Sequence, residues 1–108
     1  MLTLPIKKKW FDMILSGEKK EEYREIKPYY ISRFKNVFAM EPYSNLPVFD
    51  KQKVIFRNGY SANSPSFTAV CSLDIKKGKS EWGAEQGVEY YVLTIHEIIR
   101  EDGVHEIN

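Results

Sequence analysis

The sequence predicts an α+β protein: about five to six strands in a small, mostly antiparallel sheet or barrel, with two short helices near the N-terminus. Three observations carry this expectation. Apolar and polar residues alternate in several runs, most clearly at Phe67, Ala69, Cys71, Leu73 and Ile75, which is the period of a half-buried strand. The later runs are separated by the turn signal Asn58-Gly59 and by Gly78, Gly83 and Gly87, not by segments with helical spacing. Helical spacing is confined to Trp10, Met13 and Ile14 and to Tyr30 and Phe34, so repeated βαβ units are excluded.

In chain order, Leu2, Leu4 and Ile6 alternate with polar or small neighbours and read as a strand, with Pro5 marking a sheet edge. Residues 8–16 read as a helix facing the core through Trp10, Met13 and Ile14 and ended by Gly17. The charged run from Glu18 to Glu25 contains no helix breaker, so local propensity alone would extend the helix through it; its reading as turn and strand is what the resemblance described below implies. Lys27 to Phe34 is a short helix with Pro28 in its first turn, and Tyr30, Ile31 and Phe34 are its core candidates. Residues 36–52, punctuated by Pro42, Asn45 and Pro47, read mostly as loop. Strands follow at Val54 to Arg57, at 67–75 and at Tyr90 to Arg100, and the tail after Asp102-Gly103 reads as loose.

At 108 residues the chain is one domain's worth. Six Phe, seven Tyr and two Trp are enough aromatics to fill a core, which argues against disorder. No apolar run approaches the roughly 20 residues of a membrane helix, and the N-terminal apolar residues precede the lysines, the reverse of a signal peptide. A cytoplasmic location is expected, with no membrane partner. One cysteine and two histidines exclude an internal disulfide and argue against a zinc site, so neither metal nor cofactor is expected. The net charge of +1 hides an asymmetry: residues 1–57 carry 12 Lys/Arg against 7 Asp/Glu, and residues 58–108 carry 4 against 8. The basic half points to an anionic partner or to an uneven solvated surface.

Most catalytic readings fail. Gly78-Lys79-Ser80 resembles the end of a phosphate loop, but Leu73 stands where that loop needs its first glycine. His96 falls in a strand and reads as structural, and Cys71 reads as a small core residue. The informative cluster is Gly17-Glu18-Lys19-Lys20-Glu21-Glu22-Tyr23-Arg24. In a strand, Lys20, Glu22 and Arg24 share one face, and a carboxylate among cations can orient them or accept a hydrogen bond from a ligand. A solvated charged strand is the plain alternative.

The pattern Gly17-x-Lys19-x-x-Glu22-x-Arg24 resembles the signature of the ASCH domain family, a branch of the PUA-like superfamily. The preceding helix, Trp10 to Gly17, is similar to that family's helix before the motif, and Arg57-Asn58-Gly59-Tyr60 and Glu81-Trp82-Gly83 resemble stretches of small bacterial and phage members. The resemblance runs from about Leu2 to Ile99, with 36–52 as a loop insertion in one ASCH domain spanning 1–108. It implies a PUA-like β-barrel with helices at its side and a cleft lined by the motif. Lys19 and Glu22 are three apart, so both face that cleft only if Lys19 precedes the strand or a bulge intervenes.

The family association implies an RNA- or nucleotide-binding module. Lys19, Glu22, Arg24, Arg57 and Tyr60 are the candidate binding residues, with Tyr23 and Trp82 as stacking faces. A small hydrolase acting on RNA or a modified nucleoside is the alternative, with Lys19, Glu22 and Tyr60 as its candidate catalytic residues. The related acetylcytidine amidohydrolases carry a threonine nucleophile where Glu22 stands here, which disfavours that chemistry. A third reading is a protein-interaction module anchored by Phe38, Tyr43 and Phe49.

Overall fold

The computed structural model describes residues 1–41 and 46–99. Its elements in chain order are β1 (Leu2–Pro5), α1 (Lys8–Leu15), β2 (Glu21–Arg24), α2 (Pro28–Phe38), β3 (Gln52–Arg57), β4 (Ser66–Lys77), a 3₁₀ turn at Ser80–Trp82, and β5 (Glu89–Ile99). The five strands form one curled half-barrel sheet in the order β1-β3-β4-β5-β2. β1 runs parallel to β3, and the other pairings are antiparallel. β1 and β2 are therefore the two edges, as Pro5 in β1 implies. No helix among the described residues is long and apolar enough to cross a membrane.

The concave face of the sheet and the two helices enclose the core. Leu4, Val54, Phe56, Ala69, Cys71, Leu73 and Leu93 come from the strands, with Phe11 and Ile14 from α1 and Phe34 and Phe38 from α2. Burying these side chains is the main favourable term in the fold, roughly 1.5–3 kcal/mol for each large one. Burial pushes the Cys71 thiol up to about 12, so it is an inert packing residue.

Three details differ from expectation, each for a local reason, and β5 carries an irregularity of its own. In α1 the buried pair is Phe11 and Ile14, while Trp10 and Met13 are half-buried. Phe11 meets the Phe67 ring edge-on at 5.0 Å, and Trp10, one residue earlier on the helix, has Lys19 Nζ 5.0 Å from its ring centre instead. Helix α2 continues to Phe38, because nothing before Ala39 breaks it; Ala39 takes a left-handed φ of 52° at its C-cap. That extension buries Phe38, expected as a surface anchor, while Ile31 is exposed. Ile75 is 41% exposed, because β3 accompanies β4 only as far as Cys71 and leaves the end of β4 open on that side. In β5 the alternation Tyr91, Leu93, Ile95 jumps to Ile98 across a bulge at His96, which shifts the phase of the strand. The expectations for Tyr43, Arg100 and the tail after Asp102-Gly103 lie outside the described residues.

Candidate functional site

Helix α1 ends where the sequence says it should. Gly17 takes a φ of +85°, which favours glycine, and its N–H donates to the Ile14 carbonyl. The Lys19 N–H then donates to the Met13 carbonyl at 2.9 Å, so the backbone of Lys19 is tied to the helix end before β2 begins. This turn lets Lys19 and Glu22 meet despite their three-residue spacing: Lys19 Nζ lies 3.1 Å from Glu22 Oε1. Lys20, expected to share the face of Glu22, is exposed instead.

Two strand residues later, Arg24 Nη2 donates to Glu22 Oε2 at 2.7 Å. The three side chains form a line, Lys19–Glu22–Arg24, with two cations flanking one carboxylate. Lys19 is 1% exposed and Glu22 6% exposed. Lys19 Nζ also donates to the Trp82 carbonyl at 2.8 Å and lies about 5 Å from the ring centres of Trp10 and Tyr23. Burial lowers the Lys19 pKa from the usual lysine value, with the Glu22 carboxylate opposing that shift. Buried ion pairs are weak contributors to stability, so a buried ionic triad beside a cleft points to function.

The cleft has a volume of about 910 Å³ and lies where the edge strands β1 and β2 face each other. Glu22 and Arg24 are at its floor. Trp10, Tyr23, Tyr30, Tyr60 and Tyr90 contribute rings to its lining. Arg24 spans the gap: Nη2 donates to the Pro5 carbonyl of β1 at 2.7 Å, and Nη1 donates to the Tyr30 hydroxyl of α2 at 3.3 Å. Its Nε is covered and has no hydrogen-bond partner. Asn58, in the β3–β4 turn, donates through Nδ2 to the Ile6 carbonyl and fixes that rim.

The connection between β4 and β5 is the remaining wall. Fixed side chains hold it by its backbone: Lys79 N–H donates to the Tyr23 hydroxyl, and Glu85 N–H donates to the Tyr90 hydroxyl. The Tyr23 hydroxyl itself donates to Glu21 Oε1, so its one proton is already committed. Burial raises the Tyr23 pKa, so this phenol keeps its proton. The wall brings Glu85 to the lining, and the charged lining residues are Lys7 and Arg24 against Glu22, Glu25 and Glu85. The interior is thus no phosphate-shaped cationic pocket.

Of the residues singled out from sequence, Lys19, Glu22, Arg24 and Tyr23 converge, and Tyr60 stands at the mouth, 90% exposed. Lys19, covered behind Glu22, and Arg57 and Trp82 are not in the cleft lining. Arg57 lies on the phase of β3 opposite to the buried Val54 and Phe56, and Trp82 serves through its carbonyl. Sequence reasoning passed over Lys7, Trp10, Tyr30, Asn58, Glu85 and Tyr90 as site residues. Trp10 and Tyr30 carry the periodicity of core positions, and only the half-buried state of both shows their second role. Elsewhere, Ser72 Oγ and His96 Nε2 lie 2.7 Å apart on the exposed face of the sheet. No cluster of three or more potential metal ligands occurs among the described residues.

Comparison with protein-family models finds none that matches this chain, and searches of curated proteins and of solved structures likewise find no match.

Proposed function

We propose that the chain is an RNA- or nucleotide-binding module of the ASCH type, taking one base into the cleft and leaving the sugar–phosphate backbone outside. The observation that carries this reading is the cleft floor: Glu22 and Arg24, with the covered Lys19 paired to Glu22 behind them, beneath walls carrying five aromatic rings. A volume of about 910 Å³ is at the upper end of small-ligand clefts, which span roughly 300–1,000 Å³. Single-stranded RNA is recognised by splaying out a base, stacking it on aromatic rings and hydrogen-bonding its edge.

Binding is preferred over hydrolysis for a chemical reason. Glu22 offers no hydroxyl, Lys19 and Arg24 are both committed to Glu22, and the Tyr23 hydroxyl already donates its proton to Glu21. The backbone contacts then fall to exposed cations at the rim, led by Lys7.

The test is fluorescence anisotropy with labelled single-stranded RNA heptamers of mixed sequence at low salt. Saturable binding is expected, and Tyr60→Ala, which alters an exposed side chain, should weaken it by roughly 5- to 100-fold if Tyr60 stacks on a base. Absence of any binding by folded protein would end this reading.

A further inference from the structure

We propose that the cleft reads the Watson–Crick edge of guanine, in preference to that of cytosine, adenine or uracil. The inference rests on the nucleotide-binding reading and goes beyond it by naming the base.

The argument starts from the hydrogen-bond inventory of the floor. Glu22 Oε1 accepts from Lys19 on one side, and Oε2 accepts from Arg24 on the other. Each carboxylate oxygen carries two lone-pair directions, so each retains one after these bonds. Next in line is Arg24, whose Nε–H has no partner although its side chain is only 10% exposed. The unfilled capacity of the Glu22–Arg24 pair is therefore two acceptors and one covered donor.

The complementary ligand edge is donor, donor, acceptor. Guanine presents this as its N2 amine, N1–H and O6. Cytosine and adenine each offer one amine beside a ring nitrogen whose lone pair would face the second Glu22 oxygen. Uracil has one N–H flanked by two carbonyls, which the carboxylate repels. A guanidinium ion also has adjacent donors, but it lacks the acceptor and would bring a third cation beside Lys19 and Arg24. The charges agree with a neutral ligand once Lys19 is counted, because it pairs with Glu22 and brings the cations to three against the three lining carboxylates. Arg24 Nε is covered, so engaging O6 takes a small turn of the guanidinium, whose Nη1 bond to Tyr30 is its longest at 3.3 Å.

The experiment uses the unaltered protein and isothermal titration with GMP, IMP, AMP, CMP and UMP, plus methylguanidine. GMP should bind at least about tenfold more tightly than AMP, CMP or UMP, since a bidentate base contact discriminates by about that factor or more. IMP, which lacks the N2 amine, should fall between GMP and the rest. Mixed-sequence RNA binding without a guanine preference, or with IMP equal to GMP, would overturn the guanine assignment and leave the base-binding reading intact. Methylguanidine binding as tightly as GMP would overturn the assignment in favour of an arginine-bearing partner. If neither nucleotides nor RNA bind, both readings fall.

Discussion

Arg24 on β2 donates a 2.7 Å hydrogen bond to the carbonyl of Pro5 on β1, joining the two edge strands of a sheet that otherwise never brings them into register. The same guanidinium holds Glu22 and Tyr30, so one planar group braces β1, β2 and α2 around the cleft. Arg24→Lys keeps the charge but not the fork, and one ammonium cannot reproduce these bonds from a shorter reach. The expected loss of stability is about 1–3 kcal/mol by urea denaturation. An Arg24→Lys variant as stable as the original protein would show that the brace is dispensable.

The wall between β4 and β5 depends on a close approach at Gly78. A Cβ there would lie 2.5 Å and 2.6 Å from Tyr23 ring atoms and 2.8 Å from the Ala84 Cβ. Tyr23 cannot swing aside without losing its bonds to Lys79 and Glu21. Gly78→Ala should therefore destabilise the protein by about 1–3 kcal/mol through overpacking. Gly87→Ala is the informative comparison: its Cβ meets nothing within 4 Å, and its cost comes from a φ of +83°. Adding Tyr23→Leu should relieve much of the Gly78→Ala cost and none of the Gly87→Ala cost, a non-additivity that a double-mutant cycle measures.

How far these features were legible depends on whether their causes are local. The end of α1 was legible because Gly17 supplies the left-handed residue that the turn needs. The position of Lys19 ahead of β2 was one of two arrangements the spacing left open, the other being a bulge, once the resemblance put Lys19 and Glu22 in one cleft, since three residues along a strand reverse the face. The partner of Lys19 was not legible, because the Trp82 carbonyl is 63 residues away and backbone acceptors leave no trace in side-chain patterns. Trp10 read as core for a related reason: periodicity fixes which way a helical residue points but not whether a hydrophobic wall or a cleft lies there. The bulge at His96 is visible in retrospect, as the apolar spacing in β5 changes from two to three between Ile95 and Ile98.

Lys19 links the cleft to pH. Burial lowers its pKa below the 10.5 of an unperturbed lysine, so the folded protein binds this proton less firmly than the unfolded chain does. Between the folded and unfolded pKa values the unfolded state carries more protons, and stability rises with pH across that window. Other groups titrate there too, and comparison with Lys19→Met isolates this one. The difference in Tm between the original protein and Lys19→Met should move in favour of the original protein as pH rises from about 7 toward 10. Movement in the opposite direction would mean that the Glu22 ion pair outweighs burial and holds the proton more firmly than water does.

The salt dependence of RNA binding separates the floor from the rim. Lys19 is fully covered and Arg24 is engaged with Glu22, so neither releases counterions from an RNA backbone. The phosphates must instead meet exposed cations beside the cleft: Lys7 in its lining, Lys9 over the Trp10 ring at 4.6 Å, and Lys27 near the Tyr30 ring at 5.6 Å. Three such contacts predict a slope of log affinity against log salt of about −2, at roughly −0.7 per phosphate of a single strand. Binding should then weaken roughly 20-fold between 50 and 200 mM salt. Lys9→Ala and Lys27→Ala should each flatten the slope by about 0.7 and reduce affinity for every sequence alike, because phosphate contacts carry no base information. Glu22→Gln, in contrast, should leave the slope near −2 while lowering affinity for guanine-bearing RNA. A slope that flattens with Glu22→Gln and ignores Lys9→Ala and Lys27→Ala would place the phosphates inside the cleft and invert the proposed orientation of the strand.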